Sequence, residues 1–209
     1  MKIKKIVSSC SEEALGKALD SLPVCKIACV NWQEYPYCPE VLFTAAHDGG
    51  NLYLKYYVTE QSVRASVDED NGKVSNDSCV EFFVSFDDTG YYNFEFNCIG
   101  KVLLGFRKER PNVIRASTEM LSVIKRFPSL GTEPFEEIRS MTEWILSVVI
   151  PKEAFFRHNI TDFSGIKVKA NLYKCGDGLS VPHFLSWKPI FSEKPNFHLP
   201  QFFSAMEFE

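Results

Sequence analysis

Two neighbouring segments carry polar residues at alternate positions. The first is Cys79-Val80-Glu81-Phe82-Phe83-Val84-Ser85-Phe86, and the second runs from Tyr91 through Asn93, Glu95 and Asn97 to Cys98. On an extended chain, alternate side chains share a face. Val80, Phe82, Val84 and Phe86 then form an apolar face in one strand, and Tyr92, Phe94, Phe96 and Cys98 in the other. Glu81 falls on the opposite face with Cys79, Phe83 and Ser85, as do Asn93, Glu95 and Asn97 with Tyr91. Asp87-Asp88-Thr89-Gly90 is a turn signal that closes the two into a hairpin, making these polar groups cross-strand neighbours. Carboxylates and amides together supply the donors and acceptors that a rim of hydroxyls requires. A ligand of that kind also presents flat C–H faces, which need an aromatic platform. Trp187, at the end of Pro182-His183-Phe184-Leu185-Ser186-Trp187 on an expected loop, is the candidate platform. The plainer readings are a solvated sheet face for the polar set and an indole capping one end of the fold. Glu81 and Glu95 also satisfy the residue types of a glycoside-cleaving pair, which works at separations of about 5–10 Å. Many sheets place acids this way without chemistry. His47, His158, His183 and His198 are scattered, and no Gly-x-Ser-x-Gly turn accompanies them.

These side chains must be positioned by strands. Residues 12–20 predict a short helix with Ser11 as N-cap. Strands are expected at 24–30, 41–46 and 52–58, with a hairpin turn at His47-Asp48-Gly49-Gly50-Asn51. Residues 60–77 are polar and read as a long surface loop. After the central hairpin, strands are expected at 102–106, 121–124, 144–150, 166–173 and 203–208. Pro151 opens a short helical turn, because Pro suits a first helical position. Trp144 lies on the inward face of its strand, and Trp32 with Tyr35-Pro36-Tyr37 reads as a structural aromatic loop. The pattern implies an all-β fold, an antiparallel β-sandwich of about nine to ten strands with one or two short helices. No repeat or linker divides the chain, so residues 1–209 are expected to form a single domain, with 1–22 a short N-terminal helical extension.

Several segments in order are similar to the family 9 carbohydrate-binding modules. They are Leu52-Tyr53-Leu54-Lys55-Tyr56-Tyr57-Val58, Asp77-Ser78-Cys79-Val80-Glu81-Phe82-Phe83, and Tyr92-Asn93-Phe94-Glu95-Phe96-Asn97 with Gly100. The strand from Trp144 to Ile150 followed by Pro151, then Trp187-Lys188-Pro189 and Pro195-Asn196-Phe197-His198-Leu199-Pro200-Gln201-Phe202-Phe203, continue the pattern. The resemblance covers roughly residues 24–208. It implies a β-sandwich that binds a mono- or oligosaccharide or a polysaccharide end without cutting it, often in association with glycoside hydrolases. It implies a sugar ring held between two Trp, polar side chains on its hydroxyls, and calcium bound structurally. Glu81 matches the acidic residue that contacts sugar, and Trp187 matches one aromatic wall. Where the other wall belongs, this chain has Val74, Ser75 and Asn76, so a differently shaped site is implied. The alternatives are a glycoside hydrolase using Glu81 and Glu95, and a structural or interaction module that has lost sugar binding.

Composition narrows the remaining classes. Apolar residues make up 45% and charged residues 24%, which are globular values and exclude a disordered chain. Eighteen Phe, eight Tyr and three Trp favour strands. The net charge of −4, without a basic stripe, argues against nucleic acid as a partner. No apolar run has the length of a membrane span or follows the basic N-terminus as a signal would, so the chain as written is expected to be cytoplasmic. The seven Cys are odd in number, and several fall in strand patterns, which predicts reduced structural thiols. Cys25 and Cys29 lack a second pair at zinc spacing. Asp48, Asp68 and Asp70 carry the oxygen ligands calcium takes, but alone they read as solvated loop acids.

Overall fold

Alternating apolar residues build two sheet layers whose inner faces meet, and the computed structural model describes residues 1–7, 11–109 and 112–209 of them. The front layer runs Ile114–Arg115, Val102–Arg107, Gly90–Asn97, Cys79–Asp87, Lys167–Cys175 and Ser204–Phe208, antiparallel throughout. The back layer runs Glu40–His47, Asn51–Glu60, Thr142–Pro151 and Lys125–Pro128, also antiparallel. Lys2–Lys5 joins the layers into one folded sheet. It pairs in parallel with Ser204–Phe208 on one side and with Glu40–His47 on the other.

The main core lies between the layers. Phe82, Phe94, Phe96, Leu104 and Leu172 from the front meet Phe43, Leu54, Tyr56, Trp144 and Val148 from the back. The apolar face expected for the central hairpin is therefore the inner one. The hairpin turn at 47–51 forms as expected: Asp48 accepts from the Gly50 and Asn51 amides at 2.9 and 2.6 Å, and Gly49 adopts φ 95°.

Two further coverings complete the fold. The helix Glu12–Asp20 starts at Ser11, whose hydroxyl accepts from the Ala14 amide, and it buries Leu15 and Leu19 against Ala46, Tyr53 and Val149 on the outside of the back sheet. The C-terminal segment covers part of the front sheet's outer face, where Ile190, Phe197 and Phe203 pack on Phe83, Tyr91, Leu103 and Tyr173.

The structure departs from the sequence reading at several places. Lys2–Lys5, expected to belong to a helical extension, is a strand inside the sheet. The strand expected at 24–30 is reduced to two short bridges, Cys25–Lys26 and Cys29–Val30. The loop expected at 60–77 contains the strand Val63–Ala65, which pairs with Phe135–Ile138 in a separate small sheet. Residues 121–124 are not a strand. Ser117 caps the helix Thr118–Ser122 there, and its hydroxyl accepts from the Met120 amide, as N-cap serines do.

One end of the core is polar. Glu60 of the back sheet and Lys174 of the front sheet form a fully buried ion pair at 2.9 Å. Trp144 donates to the other Glu60 oxygen at 2.7 Å, and the His183 Nε2 lies 2.8 Å from the Lys174 ammonium. Burial and the lysine charge push His183 down to about 3, so it stays neutral. Buried charges are tolerated when paired and hydrogen-bonded in this way. Among the described residues, no helix is long and apolar enough to cross a membrane. The described cysteines are unpaired thiols, and Cys38 is the exposed one.

Candidate functional site

The outer face of the front sheet alternates as the sequence requires. Cross-strand register sets Glu81 opposite Glu95, Asn93 opposite Gly105, and Cys79 opposite Cys175. Strand parity therefore collects Cys79, Glu81, Asn93, Glu95, Arg107 and Cys175 on one surface. The C-terminal segment covers the aromatic part of that surface and leaves the polar part as the floor of a cleft of about 390 Å³. Small-ligand sites fall in the range of about 300–1,000 Å³. Glu81, Glu95, Arg107 and Cys175 line the floor, with Phe184, Phe197 and His198 on one wall and Lys73, Arg115 and Asp177 at the rim.

The floor holds two hydrogen-bonded groups. The Asn93 amide donates to Glu95 Oε1 at 2.9 Å, and Arg107 Nε donates to Asn93 Oδ1 at 3.2 Å. The Cys175 thiol donates to Glu81 Oε1 at 3.2 Å. Gly105 makes room for Asn93, because a Cβ there would lie 2.9 Å from Asn93 Oδ1 and 2.6 Å from Val113 Cγ2. Burial of Glu95 pushes its carboxyl up to about 7, against the opposing pull of the Asn93 amide, Arg115 and Arg107. Burial likewise pushes the Cys79 thiol up to about 12. At the wall, the Tyr91 hydroxyl meets His198 Nδ1 at 3.0 Å, the His198 ring lies 4.9 Å from Phe83, and Phe197 stacks on Tyr173 at 4.2 Å. An aromatic wall above charged and amide groups can hold a flat, hydroxylated ring by stacking and by hydrogen bonding at once.

The structure brings together some of the residues singled out from sequence. Glu81, Asn93 and Glu95 share the floor, yet they are buried rather than solvated. Asn97 shares the face but lies beside the cleft, where its amide donates to Asp77 Oδ2 at 3.0 Å and the Val67 carbonyl at 2.9 Å. Asp77, fully buried, also accepts from the Ser66 and Val67 amides, so this cluster anchors the 66–67 loop. Trp187 does not line the cleft. It is half-buried against the main core, edge-on to Phe43 at 6.1 Å, with the Lys188 ammonium 4.2 Å from its ring centre. Trp32, read as structural, is buried and donates to the Ser192 carbonyl at 2.9 Å, holding down the covering segment. Arg107, Cys175 and His198 are site residues the sequence reading missed. Alternation along Val102–Arg107 and Lys167–Cys175 was the available signal for the first two.

The loop acids do not converge. Asp48 is engaged in its own turn, and Asp70 Oδ1 accepts from the Val102 amide at 3.0 Å and Arg126 at 2.6 Å, while Asp68 is exposed. Among the described residues, the group whose donor atoms do converge is Cys79, Glu81 and Cys175.

Residues 12–208 match the family model described as carbohydrate-binding family 9. No curated protein matches the chain. A crystal structure of a candidate carbohydrate-binding protein from Bacteroides uniformis superimposes with a TM-score of 0.96 at 46% identity, covering 100% of this chain and 98% of that one. Two structures of a family 9 carbohydrate-binding module from Caldicellulosiruptor kristjanssonii share the fold at 10% identity and 100% coverage of this chain. The complex with glucose gives a TM-score of 0.58 over 96% of its chain, and the complex with cellotriose 0.55 over 94%.

Proposed function

The chain belongs to carbohydrate-binding family 9, and on that premise we propose that the polar cleft of the front sheet binds a saccharide reversibly, without cleaving it. Glu81, Glu95 and Arg107 would contact hydroxyls, Asn93 would position Glu95 and Arg107, and His198 with Phe197 would form the stacking wall. The observation that carries this reading is the joining of an aromatic wall to a floor of carboxylate and guanidinium groups in a cleft of sugar size. Trp187 contributes packing, and the aromatic wall of the cleft is made of imidazole and phenyl rings where the single indole of Trp187 was expected.

The test is calorimetric titration of the intact chain with glucose and cellotriose, together with a wider glycan array. A hydrogen bond to a charged group is worth about 1.5–3 kcal/mol, so Glu81→Gln should weaken binding tenfold or more. His198→Ala should do the same by removing the wall, whereas Trp187→Ala should leave affinity within about twofold provided the fold survives. Loss of binding in Trp187→Ala with retention in His198→Ala would place the sugar elsewhere. Incubation with oligosaccharides should return them intact, and products that vanish in Glu81→Gln would instead make this a glycoside hydrolase.

A further inference from the structure

We propose that Cys79, Glu81 and Cys175 form a binding site for a thiophilic divalent cation of the zinc class on the floor of the cleft. Cys79 and Cys175 are direct partners on adjacent antiparallel strands, and Glu81 follows Cys79 by two residues on the same face. Their two sulfurs and one carboxylate oxygen all lie within 4.8 Å of one another, and all three residues are buried. The Cys175 sulfur is 3.2 Å from Glu81 Oε1.

A tetrahedral zinc holds sulfur at about 2.3 Å and carboxylate oxygen at about 2.0–2.2 Å, so neighbouring ligand atoms sit roughly 3.5–3.8 Å apart. The sulfur–oxygen spacing of 3.2 Å lies just below that value and no pair exceeds 4.8 Å, so small side-chain rotations would meet it. The ligands stand on central strands rather than loops, which limits reorganisation on binding. Two thiolates with one carboxylate select zinc-class ions over calcium and magnesium, which take oxygen ligands. Three protein ligands leave a fourth position, and because Glu81 and Cys175 line the cleft, that position faces it. On binding, each thiol S–H bond breaks and its proton leaves to solvent. Two metal–sulfur bonds and one metal–oxygen bond form, and no electron changes hands. Arg107 and Arg115 at the same cleft offset the net negative charge of the filled site.

The competing reading is that both thiols are small buried hydrophobes. The reduced, metal-free full chain should be titrated with Co²⁺. One equivalent is expected to produce thiolate-to-cobalt charge transfer in the near ultraviolet, and one equivalent of Zn²⁺ should remove it. Cys79→Ser and Cys175→Ser should each abolish the band, and the double variant Cys29→Ser/Cys38→Ser should keep it. If the cleft variants misfold, wild-type chain gives a second readout: in urea just below the unfolding transition, where the buried thiols are transiently exposed, Zn²⁺ should slow alkylation of Cys79 and Cys175. No band with thiols shown to be reduced, a band that survives in folded Cys175→Ser, or unchanged alkylation of both residues with Zn²⁺ would overturn the proposal. So would isolation of the chain with Cys79 and Cys175 joined as a stable disulfide. No readout involves sugar, so the metal site and the saccharide reading stand or fall separately.

Discussion

Glu95 should make the protein's stability depend on pH in the opposite sense to an ordinary surface carboxylate. Its carboxyl is 8% exposed and is pushed from 4.5 up to about 7, chiefly because burial removes water from the ionised form. At about 1.36 kcal/mol for each tenfold change in proton affinity, ionising it in the folded state costs about 3 kcal/mol more than in the unfolded chain. The folded pKa lies above the unfolded one, so the folded state holds the proton more tightly. The stabilisation is fully present below pH 4.5, is lost as pH rises between 4.5 and about 7, and is absent above. Glu95→Gln keeps an oxygen for the Asn93 amide and has no proton to lose. Urea unfolding of wild type and Glu95→Gln from pH 4 to 8 should therefore give curves that diverge by about 3 kcal/mol in favour of the variant as pH rises. Carboxyl ¹³C titration by NMR reads the same group directly. Parallel stability curves, or a Glu95 carboxyl titrating below pH 5, would refute the claim that this floor is dry enough to oppose ionisation. The ligand would feel the same change, because Glu95 donates a hydrogen bond when protonated and only accepts when ionised.

Two further substitutions test how the cleft is supported. Lys174→Met strands the buried Glu60 charge and should cost about 3–5 kcal/mol in urea unfolding, while Glu60→Gln/Lys174→Met should recover a measurable part of that loss, since removing both charges also removes the desolvation penalty. A double variant as unstable as the single one would mean that the pair's geometry, not its charge, secures this end of the core. Gly105→Ala drives a methyl into Asn93 and Val113 and should destabilise by about 1–3 kcal/mol. It should also weaken saccharide affinity in calorimetry, because Asn93 links Arg107 to Glu95. Unchanged affinity in a folded variant would remove Asn93 from the positioning network.

The strands that carry the site were readable because the period of two is strong where phenylalanines alternate with polar groups. Phe82 and Phe94 against Glu81, Asn93 and Glu95 permit one register and one choice of inner face. The helix at Glu12–Asp20 was equally plain, with Ser11 as its cap and Leu15 and Leu19 a turn apart. Short or non-local pairings were not readable. Lys2–Lys5 has only Ile3 buried, so no alternation marks it, and its strand character comes from partners forty and two hundred residues away. The same reasoning accounts for residues 121–124. Their apolar content fits a strand, but Ser117 placed before Thr118 starts a helix.

The site itself was half legible, and the missing half has a single cause. Periodicity states which side chains share a face, but not which distant segment will lie over that face. The outer face reads from sequence as an open polar surface because nothing local to residues 79–97 predicts that Phe197 and Phe203 arrive to cover Phe83, Tyr91 and Tyr173. That covering turns an open polar surface into a floor, and with it come the burial of Glu81 and the raised carboxyl of Glu95. Trp187 went astray for a more correctable reason. Pro182 and Pro189 made its segment look like a loop, yet Phe184–Ser186 is a strand paired with Lys167–Cys175. Alternation then applies to it as well: Phe184 faces the cleft opposite Cys175, Leu185 faces the main core, and Trp187, two residues on, joins the core side. The aromatic that this strand contributes to the cleft is therefore Phe184, by the same parity that excludes the indole, whereas His198 and Phe197 reach the wall from the irregular covering segment, which no alternation marks.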